Sequence, residues 1–251
     1  MSEERIKMES NNEMMANTMS KSGFTFNSAI NELVDNATGT AKNIRISLLV
    51  DNNGQRPIKR IAISDNGSGI AISILPKAMA MGVSMGDTIH EHGVGMKNAI
   101  AYFGNSSIRK GLHQLKSYDG KDSYAITGYE GNELIKKSMR VPHNTGTILE
   151  MNILHKVTAA NRITPLKENL GVRYAKFISE GGVITICEYD METNSITTDA
   201  NGDDIIHTVK PIVPTYFHPT TLTKVHLIKT EIVTENIVAE LTIGISPDDE
   251  E

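Results

Sequence analysis

The chain has 251 residues, 39% apolar, 22% charged and 5% aromatic, with a formal net charge of −5; it is long enough for one large domain, or one medium domain and part of a second. The acidic balance argues against a protein whose main work is coating nucleic acid, though not against a local basic patch. A single cysteine, Cys187, excludes an intramolecular disulfide framework, and with no apolar run of about 18 residues and no apolar secretory stretch in the polar start, a soluble cytoplasmic protein without a membrane partner is expected.

In chain order, residues 1–22 read as a flexible arm or a marginal helix. Helical periodicity covers 26–41, and 43–50 (NIRISLLV) reads as a strand. A turn signal at 51–56 (DNNGQR) leads to a second strand at 57–64. Asp65-Asn66-Gly67-Ser68-Gly69 breaks that pattern. Helices are expected at 73–81 and 96–103, with a Gly-, Ser- and His-containing stretch at 82–95 between them. Residues 107–109, 123–127 and 134–139 read as strands, the last two forming a hairpin through 128–132. Another strand is expected at 147–153 and a helix at 165–178, opened by Pro165. Gly181-Gly182 stops that helix before a β-rich 183–189. Residues 205–245 read as several strands, and 246–251 (SPDDEE) as a solvated acidic tail. Helices and strands mix without strict alternation, so the expected class is an α+β sandwich and not a doubly wound parallel sheet. No internal repeat or low-complexity block interrupts it.

Four clusters carry candidate chemistry. On a helical wheel at ~100° per residue, Phe26, Ala29, Ile30, Leu33, Val34 and Ala37 share an apolar sector. Glu32, Asp35 and Asn36 fall on the other side, so a carboxylate and an amide stand on adjacent turns; a plain solvated face would look the same. Asp65 ends a strand, and Gly67 and Gly69 permit close backbone approach, although Asn-Gly is also the strongest short hairpin signal. His92-Gly93-Val94-Gly95-Met96-Lys97 opens a helix whose free N–H groups can bind phosphate; its plain alternative is a loop before a helix. Thr145-Gly146-Thr147 enters a strand and alone is only a strand start.

Their order and spacing resemble the GHKL ATPase superfamily: gyrase B, the ninety-kilodalton heat-shock chaperones, sensor histidine kinases, MutL and the Microrchidia (MORC) ATPases. The resemblance covers about residues 24–153. Asp35-Asn36 and His92-Gly93-Val94-Gly95 look like gyrase B; Lys97 and Gly82-Val83-Ser84 look like MORC heads. It implies a Bergerat-type two-layer sandwich with a mixed sheet that binds ATP and Mg²⁺. Asn36 would hold the metal, Glu32 would act as general base, and Asp65 would accept from the adenine amino group. Thr147 would support Asp65 through an ordered water. Gly67 and Gly69 would let the base approach, and Ile70 and Met81 would be further cofactor-binding residues. Gly93, Val94, Gly95 and Met96 would cap the phosphates, with Lys97 neutralising charge. Residues 82–92 would form a lid whose closure drives homodimerisation, with the arm exchanged between subunits.

The implied division is an arm at 1–22, an ATP-binding domain at 23–155, a linking helix with a β-rich extension at 156–245, and the tail. Larger relatives complete the site with a transducer lysine; Lys210, Lys224 and Lys229 are candidates by position only. The short region after Pro165 points to a reduced protein or a fragment. The alternatives are a nucleotide-binding switch with little turnover, or the ATPase part of a DNA-associated machine using Arg109-Lys110, Lys136-Lys137 and Arg140. No Walker A pattern is present. His90-Glu91-His92 lacks the His-Glu-x-x-His spacing of a zinc helix and reads as lid. Cys187, in an apolar β run, reads as a buried thiol.

Overall fold

The computed structural model describes residues 3–7, 23–79, 95–130, 133–140, 144–154, 160–212, 228–233 and 238–243. The chain divides into two compact units, Met1–Pro211 and Ile212–Glu251.

The first unit is an α+β sandwich, as expected. Its sheet has nine strands in the order β1-β6-β5-β4-β7-β3-β2-β8-β9. These are β1 (Glu3–Lys7), β2 (Asn43–Val50), β3 (Ile58–Asp65), β4 (Leu112–Tyr118), β5 (Ser123–Glu130), β6 (Glu133–Ser138), β7 (Gly146–Asn152), β8 (Val183–Asp190) and β9 (Ile206–Thr208). Every pairing is antiparallel except β2 with β8, which makes the sheet mixed.

Helix α1 (Phe26–Thr38) is launched by a capping box. Ser28 N–H donates to Thr25 Oγ1 at 3.1 Å, and Thr25 N–H donates to Ser28 Oγ at 2.7 Å. Its apolar sector, Phe26, Ala29, Ile30, Leu33, Val34 and Ala37, is buried. Alternation in β2 and β3 sends Ile44, Ile46, Leu48, Ile61 and Ile63 into the same core. Helix α3 (Gly95–Phe103) packs beside α1, and Phe26 meets Phe103 edge to face at 6.0 Å. Between β3 and α3 lies a short α2 (Leu75–Met79).

Several local expectations change. Residues 3–7, read as arm or marginal helix, run as an edge strand paired with β6. The strand expected at 107–109 is a helical turn, α4 (Ile108–Gly111), because Ser107 Oγ accepts the Lys110 N–H at 3.2 Å as an N-cap. The strand that follows, β4, was not expected. A register shift between Leu112 and Gln114 spoils its alternation.

The helix expected at 165–178 is two. A 3₁₀ turn (Ala160–Arg162) leads into α5 (Ile163–Arg173), and α6 (Ala175–Ser179) follows after a break at Tyr174, where φ is −105° and ψ is 21°. Pro165 lies in the first turn of α5, where its missing N–H costs nothing. Strand β8, grouped by sequence with an extension beginning at 156, is a full member of the main sheet beside β2. The second unit contains an antiparallel pair, β10 (Ile228–Val233) and β11 (Val238–Ile243), with Ile228 opposite Ile243.

Candidate functional site

Helix α1 carries Glu32 and Asn36 on its polar side, half-buried and exposed respectively. Asn36 Nδ2 donates to the Glu32 backbone carbonyl at 2.8 Å. With its nitrogen engaged, the amide keeps Oδ1 as an acceptor, the donor type Mg²⁺ takes. That atom and the neighbouring carboxylate fit a hard cation. Among the described residues, no group of three or more His, Cys, Asp or Glu is placed to hold a metal ion.

The first residue of α3 lies against Glu32. A Cβ on Gly95 would collide with Glu32 Oε2 and stand 3.2 Å from its Cδ. Only glycine lets that carboxylate sit on the helix start, where free N–H groups and the helix dipole favour an anion. Two motifs more than sixty residues apart in sequence thus meet. Met96 is half-buried. Lys97 is 2% exposed, and burial pushes its ammonium down to about 8.

Asp65, at the end of β3, pairs with Thr147 of β7. Its Oδ1 accepts the Gly67 N–H at 2.8 Å. Burial raises the pKa of Asp65, and the nearby backbone N–H groups of Gly67 and Thr147 oppose the rise without cancelling it.

The glycines around Asp65 are packed by the chain itself. A Cβ on Gly67 would collide with Thr40 Oγ1. Gly69, at φ +72°, faces the Tyr118 carbonyl, and Gly146, at φ +145°, faces the Asp65 carbonyl. Both need a left-handed backbone as well as an absent side chain. Ile70 is half-buried and clamped at both backbone atoms. Its N–H donates to Ser117 Oγ at 2.7 Å, and its carbonyl accepts from the Tyr124 hydroxyl at 2.8 Å. Ser117 is 1% exposed. Asn66 Oδ1 accepts the N–H groups of Lys42 and Asn43 at 3.0 and 2.8 Å, closing the same loop onto β2.

Sequence reasoning missed Ser117, Tyr124 and Asn66 as loop holders. The first two lie on the unrecognised β4 and on β5, and only the strand pairing brings them to residue 70. Among the transducer-lysine candidates, Lys210 is exposed after β9 and Lys229 is on β10 of the second unit. Met81, Gly93, Val94, Lys224, the 82–92 stretch with His90-Glu91-His92, and the acidic tail lie outside the described residues. Arg109-Lys110 sits on α4, Lys136-Lys137 on β6, and Arg140 after it. Cys187 is buried, as expected. No described helix is long and apolar enough to cross a membrane.

Compared with known families, residues 24–113 match the model described as Histidine kinase-, DNA gyrase B-, and HSP90-like ATPase. No curated protein matches the chain. The matched stretch contains Glu32, Asn36, Asp65, Gly67, Gly69, Gly95 and Lys97 and stops before Thr147. Together with the α+β sandwich, the match supports placing this stretch in the GHKL ATPase superfamily and implies ATP binding.

Proposed function

We propose that the chain binds ATP with Mg²⁺ and hydrolyses it, with Glu32 as the general base. The contact of Glu32 with Gly95 carries this reading, because it puts a carboxylate at the helix start that suits a phosphate. A carboxylate and a phosphate at one helix terminus repel, so the arrangement calls for a cation. Asn36 Oδ1 would hold Mg²⁺ together with the phosphates, and the metal would supply that neutralisation. Glu32 orients the attacking water and takes its proton. The N–H groups at the start of α3, from Gly95 and Met96, hold phosphate oxygens, and Lys97 adds positive charge from within. Asp65 accepts from the adenine amino group. Its bond from the Gly67 N–H keeps the carboxylate aimed, Thr147 supports it through an ordered water, and the clamped Ile70 forms part of the adenine wall.

Gly93, Val94, Met81 and a lid at 82–92 belong to the same proposal, as do dimerisation on nucleotide binding and a place near gyrase B- and MORC-type heads. Positioning and electrostatics do most of the catalytic work in phosphoryl transfer. Loss of the base therefore removes turnover and leaves binding. In Glu32→Ala, hydrolysis should fall by ~10²–10⁴-fold with analogue affinity retained. Unchanged turnover in that variant would refute the assignment.

A further inference from the structure

A second group of side chains holds α1 through Asp35, on its polar side, and through the Asn31 carbonyl. Arg173 Nη2 donates to Asp35 Oδ2 at 2.7 Å. The Tyr174 hydroxyl lies 2.8 Å from Asp35 Oδ1 and 2.9 Å from the Asn31 carbonyl. A phenol has one proton, so those two acceptors share it. Tyr174 is 5% exposed. Burial and the Asp35 charge raise its pKa and keep it a neutral donor. Arg173 is stabilised as a cation, first by its hydrogen bond to Asp35.

The placement matters more than the strength. Asn31 and Asp35 are one helical turn apart, and each immediately precedes a site residue, Glu32 and Asn36. One phenol thus spans two turns of α1, and one guanidinium fixes the second. Holding residues 31 and 35 sets the rotation of α1 about its axis, and with it the aim of residues 32 and 36. Both clamping side chains come from the break between α5 and α6. The chain then enters β8, which pairs with β2. An open cleft bordered by Thr38, Lys176 and Phe177 lets water reach Asp35 and Arg173.

We infer that Arg173 and Tyr174 are positioning residues that set Glu32 and Asn36 for hydrolysis. The inference rests on the ATPase reading above. The pair touches neither nucleotide nor attacking water; it acts through Asp35 and the α1 backbone. Misplacement by about 1 Å can cost ~10²-fold in rate, so partial release of the clamp should lower kcat by about tenfold or more.

The test uses the full chain with Tyr174→Phe, Arg173→Met, Arg173→Lys and Asp35→Asn, alone and with Arg173→Met. Steady-state kinetics, urea midpoints and amide hydrogen exchange are read together. Tyr174→Phe and Arg173→Met should each lower kcat about tenfold while KM for MgATP shifts less than about twofold. Exchange should quicken at amides 31–36 and stay unchanged in β2 and β3. Arg173→Lys should recover part of the rate, and adding Arg173→Met to Asp35→Asn should cost little more. Unchanged kcat in folded variants would overturn the inference, as would a loss that merely tracks the unfolded fraction. If the unmodified chain neither binds nor hydrolyses ATP, the functional reading fails separately. Exchange still decides the clamp in that case, because unchanged rates at 31–36 in the variants would refute it.

Discussion

Lys97 is buried with its ammonium held down to about 8, so its charge responds to what binds beside it. In the unfolded chain the same lysine titrates near ~10.4. Between those values the unfolded state holds more protons, so this group makes stability rise with pH from about 8 to ~10.4. A bound phosphate favours the charged form. ATP binding near pH 8 should therefore take up a proton, and affinity should fall as pH rises past 8. Calorimetry in buffers of different ionisation enthalpy reads the uptake directly, and Lys97→Met should abolish it. Asp65 works in the other direction. Its pKa is raised mainly by burial, so acid should weaken nucleotide binding at a higher pH than an ordinary carboxylate would. A substitution at Gly146 tests the support beneath Asp65. Gly146→Ala must place a Cβ against the Asp65 carbonyl at a φ of +145°, and should destabilise the fold by about 1–3 kcal/mol, read by urea unfolding.

The loop after β3 is held from the far side of β7. Ser117 Oγ and the Tyr124 hydroxyl engage the two backbone groups of Ile70. Ser117→Ala leaves the Ile70 N–H without that partner in a part-buried place, at a cost of about 1–3 kcal/mol. Nucleotide affinity should fall with it; a variant with normal stability and affinity would show the clamp to be idle. Periodicity made α1 and β2 legible, because each has a 3.6 or 2 repeat over one buried face. It failed at β4, where the shift between Leu112 and Gln114 interrupts alternation. It failed at 107–109, where a serine cap overrides local β propensity. It also ran α5 and α6 together, since the Tyr174 break is set by hydrogen bonds to Asn31 and Asp35 on a distant helix. The motifs of the candidate site were legible because glycines and carboxylates carry their spacing in the chain. Their supports, Ser117, Tyr124, Arg173 and Tyr174, were not, because only the folded sheet and helix packing bring them close.

In the Met1–Pro211 unit, β8 is the parallel neighbour of β2, with Ile184 and Ile186 fully buried. A chain ending at 155 would open the β2 edge and remove the Leu166 and Leu170 side chains, both 0% exposed. Each large apolar side chain lost from such a core costs about 2–5 kcal/mol. That truncation should fail to fold, whereas one ending at 211 should keep both fold and nucleotide affinity, as circular dichroism and titration would show. The net charge of −5 means that any positive potential for a nucleotide is local, from the start of α3, Lys97 and the metal. The most direct measurement is calorimetric titration of the full chain with a non-hydrolysable ATP analogue, with and without Mg²⁺. One saturable site, tightened by Mg²⁺ and lost in Asp65→Asn, is the predicted result. No detectable binding at high analogue concentration would contradict the account.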